Sequence, residues 1–328
     1  MARKNKIVAI VLVVAATLTA FILILGSSTP VQNANLVPHE GKYGIYVLDL
    51  ATSETNLIYS SNNEIQTSAL RINIIEEKFV FAMKIEGSNE KNTEIFTVSV
   101  DGTGLNRLTS NTYFDLYPVW SSDGSMIGFL SRRDGDLDIY TMNANGDSQR
   151  KLYDSGSNDA DIDWKGDTMV FTSMFSIWSM KADGTSPKQI TSLPNAGQWG
   201  TANLPVGDYD PRLSSNGEKV VFERLENPNS THGDYDIFTV NIDGSGETRL
   251  TNTGYSQGLA NWSYEGDKIA YVVAAVNDEG RYDIYLMNSD GTNNHDVTPS
   301  YFPTNFLCYS PVFSVDDLKI YFIGVWSD

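Results

Sequence analysis

The residues with the most pointed chemical potential are the aspartates of Asp159-Ala160-Asp161-Ile162-Asp163. On a regular strand, alternate positions bring three carboxylates to one side, an oxygen-rich array of the kind that holds a hard cation. The run lacks the glycine at the sixth position and the glutamate at the twelfth of a calcium-binding EF loop. No resident cofactor is therefore expected, with calcium the one ion left open against plain solvated acids at a strand start. Other chemistries find less support. There is no G-x-S-x-G elbow, no P-loop and no H-E-x-x-H, and the Gly102/Gly104 and Gly244/Gly246 pairs belong to turns, so no catalytic motif and no nucleotide partner are expected. Three histidines (His39, His232, His295) leave little for zinc, and the single Cys308 cannot form an internal disulfide.

The chain that must position these groups has 328 residues, 41% hydrophobic and 11% aromatic, enough apolar material for a sizeable core. It carries 23 Lys+Arg against 41 Asp+Glu. Arg3, Lys4 and Lys6 lie in the first six positions, so the remainder holds 20 basic against 41 acidic residues, a formal −21. Such a body repels phosphate backbones, which excludes nucleic acid as the expected partner.

Ile7 to Leu25 is a run of nineteen residues without a charge, long enough as a helix to cross a hydrocarbon core of about 30 Å. Residues 1–26 are expected to be an N-terminal transmembrane anchor or a signal sequence. The preceding basic residues stay cytoplasmic, and the body is extracytoplasmic, either periplasmic or at the cell surface. Length favours an uncleaved anchor, and Leu25-Gly26-Ser27-Ser28 is a poor cleavage site; a cleaved chain would be secreted. Residues 27–43, polar with two prolines, read as a linker. Two N-x-S/T triplets, at Asn229 and Asn261, are compatible with glycosylation and equally with chance.

Self-comparison of residues 44–328 exposes a repeat. Gly44-Ile45-Tyr46-Val47-Leu48 recurs as Glu94-Ile95-Phe96-Thr97-Val98, Asp138-Ile139-Tyr140-Thr141-Met142, Ser176-Ile177-Trp178-Ser179-Met180, Asp236-Ile237-Phe238-Thr239-Val240 and Asp283-Ile284-Tyr285-Leu286-Met287. Six residues after the isoleucine, five of the six copies have Asp-Gly or Asn-Gly; thirteen after it comes an aliphatic residue, usually followed by threonine. A second unit lies between the copies, clearest as Pro118-Val119-Trp120-Ser121-Ser122-Asp123-Gly124 followed by Ile127-Gly128-Phe129. Each repeat thus reads as four short strands, A to D in chain order, joined by turns that tolerate positive φ. The Ile-aromatic-x-aliphatic run is apolar at adjacent positions, which implies sheets covered on both faces. The chain opens with C and D and closes with A and B, so the two half-sheets can complete one another. The expected fold is an all-β six-bladed propeller of four-stranded antiparallel blades with a composite closing blade.

The quoted units resemble the TolB-type, or WD-like, propeller repeat over about residues 44–325. The resemblance implies a propeller and leaves function wide, because such repeats serve in envelope binding proteins, in propeller domains of serine peptidases and in polysaccharide-degrading enzymes. TolB itself has an α/β domain before its propeller, for which the roughly eighteen residues between anchor and first repeat leave no room. The resemblance also implies that an aspartate three residues before the strand-A proline faces the central channel. Asp115 and Asp208 hold that place, with Thr67, Ser157, Gln257 and Cys308 elsewhere.

Loop lengths separate the two ends of such blades. The A–B and C–D turns are short and repetitive. Among the connections at the other end, Thr191 to Pro211 spans 20 residues where its counterparts span 9, and Phe222 to Ile237 spans 15 against 6 from Phe171 to Ile177. Loops on a rigid scaffold concentrate binding residues. Asn195, Gln198, Trp199, Asp208, Tyr209 and His232, with Asp115, are therefore the candidate contacts of a propeller that binds a protein or cell-envelope polymer through its B–C and D–A loop face; an insertion with Trp199 tucked against the blade is the plainer reading. A carbohydrate-active enzyme using Asp115 and Asp208 is the alternative from another class.

Overall fold

The computed structural model describes residues 37–85, 92–229, 233–274 and 280–327. The anchor expected over residues 1–26 and the candidate contact His232 lie outside them. Among the described residues no helix is long and apolar enough to cross a membrane.

Six four-stranded antiparallel sheets form the structure. Blade 1 comprises Arg71–Asn73, Lys78–Lys84, Thr93–Ser99 and Asn106–Arg107; blade 2 comprises Asp115–Trp120, Met126–Ser131, Asp138–Asn143 and Arg150–Tyr153. Blade 3 holds Asp159–Lys165, Thr168–Ser173, Ser176–Lys181 and Lys188–Gln189; blade 4 holds Gly207–Leu213, Lys219–Leu225, Tyr235–Asn241 and Thr248–Arg249. Blade 5 runs through Ser256–Trp262, Lys268–Ala274, Tyr282–Asn288 and His295–Asp296. Blade 6 is composite: Phe306–Phe313 and Lys319–Trp326 supply strands A and B, and Tyr43–Asp49 and Thr55–Ser61 supply C and D, with Tyr43 opposite Val325 and Asp49 opposite Lys319. The expected closure by the two chain ends is thus the one observed. The outermost D strands of blades 1, 3, 4 and 5 are only two residues long and exposed, which keeps their outer edges short.

The periodic positions have repeated physical jobs. The fourth residue of each B strand is a buried aromatic (Phe81, Phe129, Phe171, Phe222, Tyr271, Phe322) opposite the aromatic of strand C. Ring centroids in these pairs lie 5.5–6.1 Å apart in blades 1, 2, 4, 5 and 6. Both faces of the middle strands are covered, as the continuous apolar runs require, and the core lies mainly between neighbouring blades. The threonine after strand D accepts the amide of the strand-C isoleucine at 2.8–2.9 Å: Thr109 from Ile95, Thr191 from Ile177, Thr251 from Ile237 and Thr298 from Ile284. Trp120, Trp164 and Trp262 are buried, and the Trp262 indole donates to the Arg212 carbonyl of the preceding blade at 3.1 Å.

Five A strands share a bulge at one place, between Leu116/Val119, Ala160/Asp163, Tyr209/Arg212, Gly258/Asn261 and Tyr309/Val312. Tyr117, Asp161, Asp210, Leu259 and Ser310 occupy it with φ of +47° to +55°. In blades 2, 4 and 6 the next residue is Pro118, Pro211 or Pro311, which fits because the bulge releases an amide from the ladder. The bulge breaks the two-residue alternation, and the positions it frees hold the axial residues of the next section.

Candidate functional site

Around the axis, the A strands bring together Arg71 of blade 1, Tyr117 of blade 2, Asp161 and Asp163 of blade 3, and Asp210 and Arg212 of blade 4, with Glu223 from the next strand of blade 4; all are buried. Arg212 pairs with Asp210 and reaches the Ser68 carbonyl at 3.4 Å. Blades 1 and 4 are opposite one another in a ring of six, so this contact spans the axis. Asp163 takes the Leu213 amide at 2.8 Å and lies 3.8 Å from the Arg71 guanidinium; Asp161 takes the Asp210 amide at 3.3 Å, and Glu223 that of Leu259 in blade 5 at 3.1 Å. Four carboxyl groups thus face two guanidinium groups in a dry environment. Burial, reinforced by the neighbouring acids, pushes Asp161 up to about 6 and Glu223 well above the usual carboxylate range. Burial and the charge of Arg212 pull Arg71 down to about 10.

This arrangement corrects the expectation for Asp159, Asp161 and Asp163. The bulge separates Asp159, at the junction with blade 2, from Asp161 and Asp163, which join the guanidinium groups of the axis, so the three do not form one array. Among the described residues, no group of three or more His, Cys, Asp or Glu side chains is placed to hold a metal ion.

A second set of charges sits at the loop end of the blades, where strands A and C begin. Asp115 accepts from Ser131, from Asn111 at 2.6 Å and from Arg133 at 3.2 Å. Asp208 is clasped by the fork of Arg224, which Glu247 holds from its other side. Burial raises Asp208 despite that guanidinium. The position equivalent to these two in blade 3 is Asp159, not Ser157: Asp159 pairs with Ser173 as Asp115 pairs with Ser131. The strand-C acids are paired too, Glu94 with Arg107, Asp138 with Lys151, Asp236 with Arg249 and Asp283 with Arg281. In the first three pairs the base follows the acid by thirteen residues, a spacing visible in the sequence.

The long connection before strand A of blade 4 is a folded platform. Gly197 donates to the Val206 carbonyl at 2.8 Å, Val206 returns a bond to Gln198 at 2.9 Å, and Gly200 donates to Leu204 at 2.9 Å. Leu204 packs with Tyr209, Leu225 and Tyr235. The Thr201 amide meets the Pro228 carbonyl at 2.6 Å, which joins the two extended connections to each other. On this platform Gln198 is exposed, Asn195 is half-buried and Trp199 retains 36% of its surface. Asp208 and Tyr209 are buried: the first serves Arg224, and the second anchors the platform through a bond to the Pro205 carbonyl at 2.8 Å. Asp115 is likewise enclosed. These three side chains hold the scaffold and offer no surface to a partner. Arg71, Arg212, Tyr117 and Glu223 were not singled out from sequence, although an arginine inside the apolar run Ala69-Leu70-Arg71-Ile72 is a signal of a buried partner.

A ring of six such blades, closed by both chain ends and filled at its axis by side chains, defines a TolB-class propeller. Residues 36–263 match the TolB beta propeller domain family, and the chain belongs to it. An uncharacterized protein of Agrobacterium fabrum is 29% identical over 181 residues, 52% of this chain and 58% of that protein. The Tol-Pal system protein TolB of Desulfosudis oleivorans is 36% identical over 67 residues, 20% of this chain and 14% of that protein. The chain thus spans less than two thirds of either relative's length. A solved structure from Agrobacterium tumefaciens described under the TolB name superposes with a TM-score of 0.67 at 17% identity, covering 88% of this chain and 99% of its own, a likeness of fold.

Proposed function

We propose that the chain is a binding propeller tethered outside the cytoplasmic membrane, which engages a protein or cell-envelope polymer through its B–C and D–A loop face. The carrying observation is the platform of residues 191–211, locked to the neighbouring connection by the Thr201–Pro228 bond and presenting Gln198 and Trp199. Tyr113, Met174 and Tyr255 are exposed at the same end of the blades, so the apolar surface extends beyond one loop. A preformed aromatic surface keeps the ordering cost of association low. The enzymatic alternative needs two carboxyl groups open to substrate, and the enclosure of Asp115 by Arg133 and of Asp208 by Arg224 supports the binding reading instead.

The tether fits the same face. Strand C of blade 6 begins at Tyr43 beside Val325, and the Lys42 carbonyl accepts from Trp326, so the chain enters from the loop end. Residues 37–42 are part of the domain here, with Val37 buried and His39 edge-on to Trp326 at 4.3 Å. With residues 7–25 in a bilayer, the loop face would look towards the membrane across a span of at most about 35 Å for the ten residues 27–36. The test is affinity capture from solubilised envelope with the wild-type chain and with Gln198→Ala/Trp199→Ala. The expected result is a partner retained by the first and lost by the second. A partner held equally by both would remove the platform from the interface.

A further inference from the structure

At each junction between blades, the start of strand C faces the start of strand A in the next blade, and the charges there can be compared. Between blades 1 and 2, two buried acids meet two arginines, Glu94 with Arg107 and Asp115 with Arg133, and Asn111 bridges them at 2.7 and 2.6 Å. Asp208 has Arg224, Asp236 has Arg249 and Asp283 has Arg281. The junction between blades 2 and 3 departs from this. Asp138 and Asp159 are both fully buried and adjacent, since the Asp159 amide donates to the Leu137 carbonyl at 2.8 Å. Neither carboxylate is met by a guanidinium, and both oxygens of Asp159 lack a hydrogen-bond partner. The one cation nearby, Lys151, lies 2.7 Å from Asp138 and is shared with Asp134 at 3.1 Å and Asp154 at 3.0 Å.

The deficit has a local cause. Arg133 reaches Asp115 from the connection between Ser131 and Asp138, whereas the equivalent connection in blade 3 is the turn Met174-Phe175, which carries no base. Asn111, the bridge of the first junction, is replaced by Ser155, whose hydroxyl bonds that of Ser173 at 3.2 Å beside Asp159. Asp159 is thus buried beside a second carboxylate with no cation of its own, an arrangement that calls for either a cation or a proton.

We propose that the junction between blades 2 and 3 binds one Ca2+ between the carboxylates of Asp138 and Asp159, in the role that Arg133 fills between blades 1 and 2. Two carboxylates supply up to four oxygens, and the hydroxyls of Ser155 and Ser173 lie where they can add two more; water completes a sphere that suits calcium, which takes 6–8 oxygen ligands. The ion would staple two blades at the loop face. The test uses the full chain, stripped with chelator and titrated with Ca2+, and with Mg2+ as comparator, by equilibrium dialysis and thermal unfolding. One Ca2+ per chain is expected, with a rise in Tm of about 4 °C at a hundredfold excess over Kd. Asp159→Asn, which keeps the shape and removes the charge, should abolish both effects, and Ser155→Ala should weaken binding. Binding by Asp159→Asn equal to wild type would overturn the site. So would a wild-type chain indifferent to Ca2+ whose Asp159→Asn variant gains more stability at pH 8 than at pH 5, because a proton would then occupy the place assigned to the ion.

Discussion

The two ends of each blade solve different problems with the same four strands. At the turn end, Asp-Gly and Asn-Gly pairs repeat with little change, and each glycine abuts the D strand of the preceding blade: a Cβ on Gly102 would come within 2.0 Å of the Ile58 carbonyl, and one on Gly291 within 3.1 Å of the Leu250 carbonyl. At the loop end, lengths vary from the two-residue turn of blade 3 to the platform of residues 191–211, and buried acids are paired with arginines at most junctions but not between blades 2 and 3. Repetition marks the surfaces through which blades pack. Variation marks those on which individual blades have been altered without disturbing the ring. The axis belongs to neither end, because its charged residues come from the A strands, most of them at the bulges, and from Glu223 of the next strand.

The largest effect expected from breaking this pattern is at the axis. Arg212→Ala would leave Asp210, Asp161 and Asp163 buried without the guanidinium beside them, at a cost of about 3–5 kcal/mol, read as a lower denaturation midpoint. Lys268→Ala at the turn end removes an exposed pair with Asp267 and should cost less than about 0.5 kcal/mol. Equal losses would mean that the axial cluster does not hold the ring together.

Next comes pH. Asp161 is raised to about 6 and Asp159 to about 7, both mainly by burial, so each binds its proton more tightly folded than unfolded. Their contribution is fully present below pH 4 and is lost as pH rises through 6 and 7, each group tilting stability by up to about 1.4 kcal/mol per pH unit. Exposed turn acids act in the opposite sense, with Asp123 lowered to about 2 by its bonds to Ser121 and Ser125. In chelated buffer, unfolding midpoints should fall between pH 5 and 7.5, and Asp159→Asn should flatten that fall. A slope untouched by the substitution would place the titrating group elsewhere.

A smaller effect separates two glycines. Gly102 has φ +83° and meets the Ile58 carbonyl, while Gly135, in a loop-end connection, has φ +119° with nothing within 4 Å. Gly102→Ala should cost about 1–3 kcal/mol, because backbone strain is joined by a clash with a strand that cannot move alone. Gly135→Ala carries the strain without the clash, and its unfolding midpoint should lie between that of Gly102→Ala and the wild type.

How much of this was legible from residue types follows from period. The aromatic, Asp-Gly and threonine positions recur at constant offsets, so blade number, strand order and closure by the two ends could be read directly. The bulges could not, since the prolines that accompany them occur in only three blades and a regular strand was the natural expectation for Asp159 to Asp163. That is why one carboxylate array was expected where the structure parts Asp159 from the axial pair Asp161 and Asp163. Asp208 and Tyr209 illustrate the second limit. Both adjoin a long loop and look available, yet Arg224 and the Pro205 carbonyl claim them, and neither partner stands at a position the repeat marks.

The smallest effect on stability carries the most information about function. Both ends expose apolar side chains: Trp199, Met174 and Tyr255 at the loop end, and Ile75, Val315 and Leu318 in the A–B turns of blades 1 and 6. Trp199 differs from Leu318 in its setting, since it stands on a platform fastened by the backbone bonds of Gly197, Gly200, Thr201 and Val206, whereas Leu318 closes a short turn. Trp199→Ala and Leu318→Ala should each change stability by less than about 1 kcal/mol, because neither side chain is a core element. If the loop end is the binding face, only Trp199→Ala should weaken capture of the envelope partner, and an aromatic anchor at the centre of an interface is worth at least about 2 kcal/mol, near a thirtyfold loss of affinity. The reverse outcome, with Leu318→Ala weakening capture and Trp199→Ala silent, would turn the propeller over and make the turn end the face that binds.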